Sequence, residues 1–315
     1  MSRVAVQVIL YKSSGHLEPL LDSLKSQTFH DVRYFFYDNS IDALESERSQ
    51  RMIESAGIEH EYIIGTKNIG FAGGHMEMFA MHSSPFVMLL NDDAKLDADY
   101  MTQVMNRIES DDRIASVTGL VYRLDGKTID TTGLDYRCLA RVVDRQVKTE
   151  SGEVFGVSGA VGLYRRSAIE KAGGLFDPTW FMYKEDVDLA IRLRRAGFIA
   201  WFEPRAIAWH KRGLKAEGKG FITRLLEERK RPVLLRKHAY INQHHLYTLH
   251  AHPDLGFDDF LLSLIQELGR TFLVFLTSPI VWMSVVWSLA KSFSCMWAKR
   301  RELEALGLPH TRMRI

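Results

Sequence analysis

The stretch Phe86-Val87-Met88-Leu89-Leu90-Asn91-Asp92-Asp93 decides how this chain is read. An unbroken apolar run suits a parallel strand covered on both faces, and the abrupt change to Asn-Asp-Asp marks its carboxyl end. Toward the N-terminus the same unit repeats. Val4 to Tyr11 is a near-continuous apolar run and predicts a first strand, followed by a helix over about 16–27 with Leu17, Leu20, Leu21 and Leu24 on one face. Val32 to Tyr37 predicts a second strand that ends in Asp38-Asn39-Ser40. A charged helix over 44–56 leads to a third strand at Tyr62-Ile63-Ile64, and Gly70-Phe71-Ala72-Gly73-Gly74 opens a helix over 76–82. Such alternation predicts an α/β, doubly wound sheet, in which ligands gather at the carboxyl ends of the strands. Asp38 and the Asn91–Asp93 cluster fall at those ends.

Beyond the deciding strand the pattern changes. From Ile114 to about Val157 short β-like runs alternate with Gly and Asp, and a hairpin is expected around Leu124-Asp125-Gly126-Lys127. A helix over 166–172 ends at Gly173-Gly174. Next comes Phe181-Met182-Tyr183-Lys184-Glu185-Asp186-Val187-Asp188-Leu189, three acids opening an amphipathic helix whose Leu189, Leu193 and Ala196 face inward. Acids in a first turn suit the helix dipole, so a structural reason for them exists. With a second acidic cluster at Asn91–Asp93, however, the pair suggests a metal–phosphate site and a separate general base. Ile199 to Pro204 and Ala206 to His210 predict two more strands. After about Gly213 the composition shifts and the closing residues read as helices.

A chain of 315 residues accommodates one large α/β domain plus a smaller appendage, here divided as 1–213 and 214–315. A net charge of +2 leaves no electrostatic footprint for nucleic acid, which is therefore not an expected partner. Cys138 and Cys295 lie far apart without metal-ligand spacing, as in a reducing compartment. Arg3 to Tyr11 reads as a buried strand and not as a leader, so a cytoplasmic location is expected.

Tyr37-Asp38-Asn39-Ser40, Asn68-Ile69-Gly70-Phe71-Ala72-Gly73-Gly74, Leu90-Asn91-Asp92-Asp93, Gly159-Ala160 with Tyr164-Arg165-Arg166, Tyr183 to Asp188, and His210 form one ordered set. In order and spacing they resemble the inverting family 2 glycosyltransferases of the GT-A fold, particularly the bacterial rhamnosyltransferase-like branch. The resemblance covers roughly residues 3 to 212. It implies a doubly wound nucleotide-binding fold with a mixed sheet, followed here by a C-terminal helical region. It also implies a nucleotide-diphosphate sugar donor, dTDP-rhamnose first and UDP-sugars next. The implied acceptor is a hydroxyl of a bacterial surface glycan or lipid-linked oligosaccharide.

Sugar transfer leaves negative charge on the departing diphosphate, which a divalent cation (Mn2+ or Mg2+) on hard oxygen ligands stabilises. By the resemblance, Asp93 and His210 are the metal ligands. Asp186 is the general base, with Glu185 supporting it or binding the acceptor. Tyr11, Asp38, Asn68, Gly70, Gly73, Asn91 and Asp92 line the donor, with Asp38 at the nucleotide base. Asn91 departs from the acidic pattern and offers a neutral carbonyl or a water-mediated contact; Asp92 compensates or points away. Asp188 pairs with Arg192 one turn on. Trp180 and Phe181 form an apolar acceptor wall or pack in the core. His75 stands where relatives carry Asn.

His238, His244, His245, His250 and His252 fit no common metal-site spacing. Arg224, Arg229, Lys230, Arg231, Arg236 and Lys237 read as a solvated helix face. Thr271 to Ala290 carries no formal charge, but a spanning helix needs about 20 apolar residues, and Thr277, Ser278, Pro279, Ser284 and Ser288 interrupt this one. Trp282, Val286, Leu289, Phe293 and Trp297 recur at helical spacing, an amphipathic pattern for a membrane interface at the inner face of the cytoplasmic membrane. Insertion, core packing and a homodimer contact are its other uses. Two other classes compete. A nucleotidyltransferase would need a Gly-rich phosphate loop where Tyr11-Lys12-Ser13-Ser14-Gly15 has one glycine. A non-catalytic glycan-binding or scaffold protein on a transferase fold is favoured by Asn91 and opposed by Asp93, Glu185, Asp186 and His210.

Overall fold

The apolar runs form strands where their pattern predicts them, in a computed structural model that describes residues 2–139, 141–177, 179–211, 232–251 and 256–307. The first half contains β1 (Val4–Leu10), α1 (Glu18–Lys25), β2 (Val32–Asp38), α2 (Ala43–Ala56), β3 (His60–Ile64), α3 (Gly70–Ala80), β4 (Phe86–Asn91), β5 (Ala94–Leu96) and α4 (Tyr100–Glu109). Next come β6 (Ile114–Arg123), β7 (Ile129–Thr131), β8 (Leu134–Cys138), β9 (Arg141–Asp144), β10 (Gly152–Val154), β11 (Val161–Arg165), α5 (Arg166–Lys171), α6 (Glu185–Arg195) and β12 (Ile199–His210). Three helices close the described chain: α7 (Val233–His250), α8 (Phe257–Thr277) and α9 (Pro279–Ala305).

The main sheet has the order β10-β12-β6-β11-β4-β1-β2-β3, with β5 beside β12 and β7 beside β6; β8 and β9 form a separate ladder. Strands β1 to β4 are parallel. β11 runs antiparallel between β4 and β6, which makes the sheet mixed. Along β4, Phe86, Met88 and Leu90 pack in one layer with Leu20, Ile53 and Val104 from α1, α2 and α4. Val87 and Leu89 pack in the opposite layer with Ile169, Leu189 and Ile191 from α5 and α6. With both faces covered, every side chain of the strand must be apolar, which explains the unbroken run.

Local expectations needed correction in three places. The helix expected from 76 begins at Gly70, because its first donors find outside partners: Gly70 N–H donates to Asn68 Oδ1 at 2.9 Å and Phe71 N–H to the Phe181 carbonyl at 2.7 Å. The two strands expected over 199–210 are one, β12, whose register shifts between Glu203 and Ile207 around Pro204, a residue that cannot donate to a ladder. The run after Ile114 is not made of short pieces alone, since β6 is a 10-residue strand through the middle of the sheet.

The helical region is not detached. Leu246 and Leu249 of α7 and Leu303 of α9 join the same apolar layer as α5 and α6. The expected boundary at 213/214 lies outside the described residues, as do Arg224, Arg229, Lys230, Arg231 and His252. The uncharged run over 271–290 is interrupted at Ser278, and Pro279 starts α9 at a position where its missing N–H costs no bond. The expected stripe is split: Trp282 and Leu289 pack on the inner side, whereas Val286, Phe293 and Trp297 are exposed. Among the described residues α9 alone is long and apolar enough to cross a membrane, by length and composition.

Candidate active site

The antiparallel register of β5 and β12 sets His210 opposite Ala94, and so beside Asp93. Its Nε2 lies 3.0 Å from Asp93 Oδ1 and 3.1 Å from the Asn91 side-chain nitrogen. On the other side of the ring, Nδ1 lies 2.9 Å from Oδ2 of Asp130, a buried carboxylate on β7. Asp130 sits in a short strand with no motif around it, so only the fold brings it here. A carboxylate behind the ring makes Nδ1 the protonated nitrogen and presents Nε2 to the site, as in metal-binding imidazoles. Burial works against the charged ring, but Asp130 and Asp93 outweigh it and raise its pKa to about 9.

Asp93 Oδ1 is buried without an aligned hydrogen-bond donor. Once the ring gives up its Nε2 proton, this oxygen and the Nε2 lone pair together suit a divalent cation. Among the described residues no group of three or more His, Cys, Asp or Glu is arranged to hold a metal. Asp93 and His210 could supply two ligands, which would leave the remaining positions to phosphate oxygens and water, as in magnesium sites at phosphates. Asp92 points away: it accepts from the Ser13 hydroxyl and lies 3.4 Å from His16 Nε2. The bond to Asp92 raises the pKa of His16 against the effect of burial. Asp92 therefore anchors the loop after β1.

The second acidic group lies at the start of α6. Asp186 is partly exposed, and its oxygens accept from Val187 N–H at 2.8 Å and Gly159 N–H at 3.3 Å. Burial, then the charge of Asp144, pushes its pKa up. Glu185 is buried behind it with Oε2 unpartnered among the described residues, and burial together with the Asp186 charge pushes it up too. Asp186 is thus the member of the pair that faces the site. The neighbouring Ala160 carbonyl accepts from Asn91 N–H at 2.9 Å. One short strip, Gly159-Ala160, therefore holds the acid helix on one side and the carboxyl end of β4 on the other. Asp188 meets Arg192 at 2.8 Å as expected, and His250 of α7 at 2.7 Å in addition.

Other expected site residues turn out to serve structure. Both oxygens of buried Asp38 are committed, one to Ser40 N–H and one to the Tyr62 hydroxyl, each at 2.7 Å. Each oxygen keeps a second lone pair, and these two bonds hold the carboxylate in place at the end of β2. Asn39, which was not singled out, accepts from Ile69 N–H and donates to the Gly70 carbonyl, both at 3.0 Å, tying β2 to the glycine turn. Asn68 is exposed and caps α3. Gly70 has φ +76°, and a Cβ there would lie 2.1 Å from the Phe181 carbonyl oxygen, so only glycine fits. Gly73 is buried against the Ile69 side chain.

Tyr11 is 54 % exposed at the carboxyl end of β1 and open to a ligand. Trp180 is 1 % exposed and packs in the core, one of its two expected places. Phe181 stays half-buried, its ring stacked on His238 at 4.8 Å. His75 is buried against the Gln7 side chain at 3.1 Å, and burial lowers its pKa to about 3. The described C-terminal histidines also join elements together: His244 lies 3.2 Å from Glu267 of α8, and His245 lies 2.9 Å from Ser292 of α9.

Comparison with known proteins bears on the fold and the family. The chain is 46% identical over 68 residues, 21% of its length, to an N-acetylglucosaminyl-diphospho-decaprenol L-rhamnosyltransferase of Mycobacterium tuberculosis, of which the match covers 22%. It is 27% identical over 176 residues to the probable glucomannan 4-beta-mannosyltransferase 9 of Oryza sativa subsp. japonica, covering 52% of this chain and 32% of that one. The matches thus span about a fifth and a third of these curated relatives. Among solved structures, the mannosyltransferase PcManGT from Pyrobaculum calidifontis, in complex with GDP-Man and Mn2+, aligns with TM-score 0.55 at 16% identity, covering 97% of this chain and 79% of that one. GalNAc-T7 with UDP, GalNAc and Mn2+ aligns with TM-score 0.57 at 14% identity, covering 85% and 55%. At such identities these likenesses show the fold, which is GT-A. The model of the glycosyltransferase-like family 2 matches residues 30–230, more than half of the chain, and the protein belongs to that family.

Proposed function

We propose that this protein is an inverting glycosyltransferase, with Asp186 as general base and a divalent cation held by Asp93 and His210. The observation that carries the proposal is the Gly159-Ala160 strip, which brings a partly exposed carboxylate with a raised pKa against the end of β4, where Asp93 meets His210. Asp186 takes the proton of the acceptor hydroxyl, the new bond forms from that oxygen to the anomeric carbon, and the bond to the diphosphate breaks on the opposite face. A bound cation would neutralise charge on the diphosphate. Asp130 keeps His210 oriented, and Glu185 supports Asp186 from behind. Residues 1–213 form the catalytic part in this reading.

The motif resemblance and the rhamnosyltransferase match favour dTDP-rhamnose as donor and a lipid-linked glycan as acceptor. Thermal shift with dTDP-rhamnose, UDP-sugars and GDP-mannose, each with and without Mn2+ or Mg2+, tests this directly. One donor at 100 times its Kd should add about 2.7 kcal/mol of stability only when the cation is present. In Asp93→Ala the affinity should fall at least roughly tenfold. If no donor shifts the melting temperature, the non-catalytic glycan-binding reading takes its place; if Asp93→Ala binds as wild type does, Asp93 is not a metal ligand.

The helical region, 214–315, is proposed to rest on the inner face of the cytoplasmic membrane. Ile280 (78 % exposed), Met283, Trp287 and Phe293 of α9 and Phe272 of α8 lie open to solvent, with Lys291 and Arg301 on the same helix. Apolar and aromatic residues beside basic ones suit an anionic lipid surface. In flotation assays the chain should rise with phosphatidylglycerol vesicles, and a double Ile280→Glu, Trp287→Glu variant should stay behind. A wild-type chain that ignores vesicles and elutes as a dimer would assign this face to a second copy instead.

A further inference from the structure

Directly before the acid helix the backbone is bent in a way that side chains disfavour. Tyr183 and Lys184 both lie in the left-handed region, with φ of 74° and 72°, and neither is glycine. Lys184 occupies the N-cap position of α6 and contributes no side-chain cap. The Lys184 ammonium reaches the Val142 carbonyl at 3.3 Å, and the bonds to the turn's own carbonyls come from α7. The side-chain amide of Asn242, 1 % exposed, donates one hydrogen to the Met182 carbonyl and the other to the Tyr183 carbonyl, each at 2.9 Å. Without it, two carbonyls of a strained turn would lack these donors.

The neighbours of Asn242 on α7 grip the same segment. One turn earlier the ring of His238 stacks on Phe181 at 4.8 Å and 25°. Two turns later His250 reaches Asp188 at 2.7 Å. Residues at 238, 242 and 250 share a helix face by spacing, and all three contact residues 181–188. The far end of the turn is fixed by Phe71 N–H on the Phe181 carbonyl, at 2.7 Å. Asp186 follows only two residues after the left-handed pair, so a change in that turn swings its carboxylate off Gly159.

We propose that Asn242 is a positioning residue for the transfer reaction: its amide fixes the Tyr183–Lys184 turn in the shape that presents Asp186 to the acceptor. This rests on Asp186 acting as the base. Asn242 touches no substrate; it acts through two backbone carbonyls.

The test uses the full chain with a lipid-linked N-acetylglucosaminyl diphosphate acceptor and whichever nucleotide sugar stabilises the wild type. A misplacement of the base by about 1 Å lowers turnover on the order of 100-fold. Asn242→Ala should therefore lose about 10- to 100-fold in kcat. Its Kd for the matching nucleoside diphosphate with Mn2+, and the fraction of binding-competent sites, should stay within about twofold of wild type. Hydrogen exchange should rise in the peptide covering 181–188 and not in β1 or β4. Asn242→Ser, which keeps one donor, should fall in between and serves where the alanine variant folds poorly. The inference is overturned by unchanged kcat, by unchanged exchange over 181–188, or by a kcat loss matched by an equal loss of binding sites, which marks a merely structural role. A wild-type chain that turns over no donor removes the base assignment itself, and this inference with it.

Discussion

Asp186→Asn should lower transfer by about 10²- to 10⁴-fold, the range that a positioned general base contributes, while nucleotide and cation binding stay at the wild-type level. The substitution is isosteric and keeps one oxygen, which can stay on Val187 N–H at 2.8 Å while the longer 3.3 Å bond from Gly159 N–H is given up, so the first turn of α6 should survive it. What is lost is a carboxylate that can accept a proton. Burial and then the Asp144 charge raise its pKa, which makes it a stronger base than an ordinary aspartate. The base works deprotonated, so kcat/KM should decline as the pH falls through this raised value. The acid limb should lie above the ordinary aspartate value of about 4, and it should vanish in the residual activity of Asp186→Asn. The measurement is a pH profile of both proteins alongside a nucleotide titration. Normal turnover by the variant would remove Asp186 from the mechanism.

The largest effect on stability should come from Asp188→Ala. Asp188 is 4 % exposed and lies between two cationic or donating partners, Arg192 at 2.8 Å and His250 at 2.7 Å. Arg192 in turn donates to the carbonyls of Ala172, Gly174 and Leu175, so it cannot move out to water. Removing the carboxylate leaves a buried guanidinium without its counter-charge, a change that costs about 3–5 kcal/mol. A fall in Tm on the order of 10 °C is expected from calorimetry. Burial pushes the Asp188 carboxyl up, but the charge of Arg192 and the bonds from His250 and Arg192 outweigh it and hold it well below the usual carboxylate range. A depressed carboxyl stabilises the fold fully above its unfolded value of about 4 and loses that contribution as the pH falls toward the native value. The gap between variant and wild type should therefore be widest near neutral pH and shrink in acid. A loss below 1 kcal/mol at pH 7 would show that Arg192 finds other compensation.

Much of the catalytic half is written in local pattern. Phe86 to Leu90 at every position, and Val4 to Leu10 at every position but the buried Gln7, are apolar because both faces of their strands are covered, and that requirement is visible without coordinates. The polar tips at Asp38, Asn91 and Asp93 follow, since a strand buried on both faces must end where polarity begins. The Asp188–Arg192 pair is equally local, four residues apart on one helix.

Long-range register decided the rest. His210 meets Asp93 because β12 pairs with β5, and Asp130 stands behind His210 because β7 pairs with β6. Asp130 carries no motif, as its role depends on a ladder and not on its neighbours in the chain. Orientation was likewise hidden. Asp92 and Asp93 are adjacent in the turn between β4 and β5, yet one turns to Ser13 and the other to His210, because the partners lie on different neighbouring elements.

Burial separated residues that looked equivalent in the chain. Trp180 and Phe181 share an aromatic run, but Trp180 fills the core while Phe181 stays at the edge. Asp38 has the place of a ligand and the bonds of a turn. The amino-acid pattern thus determined which strands are covered, where they end and which acids open a helix, because each depends on nearest neighbours and hydrophobic period. Which nitrogen of His210 faces the site, which acid of a pair is exposed and which helix braces the Tyr183–Lys184 turn were settled by packing, because those depend on partners distant in the chain.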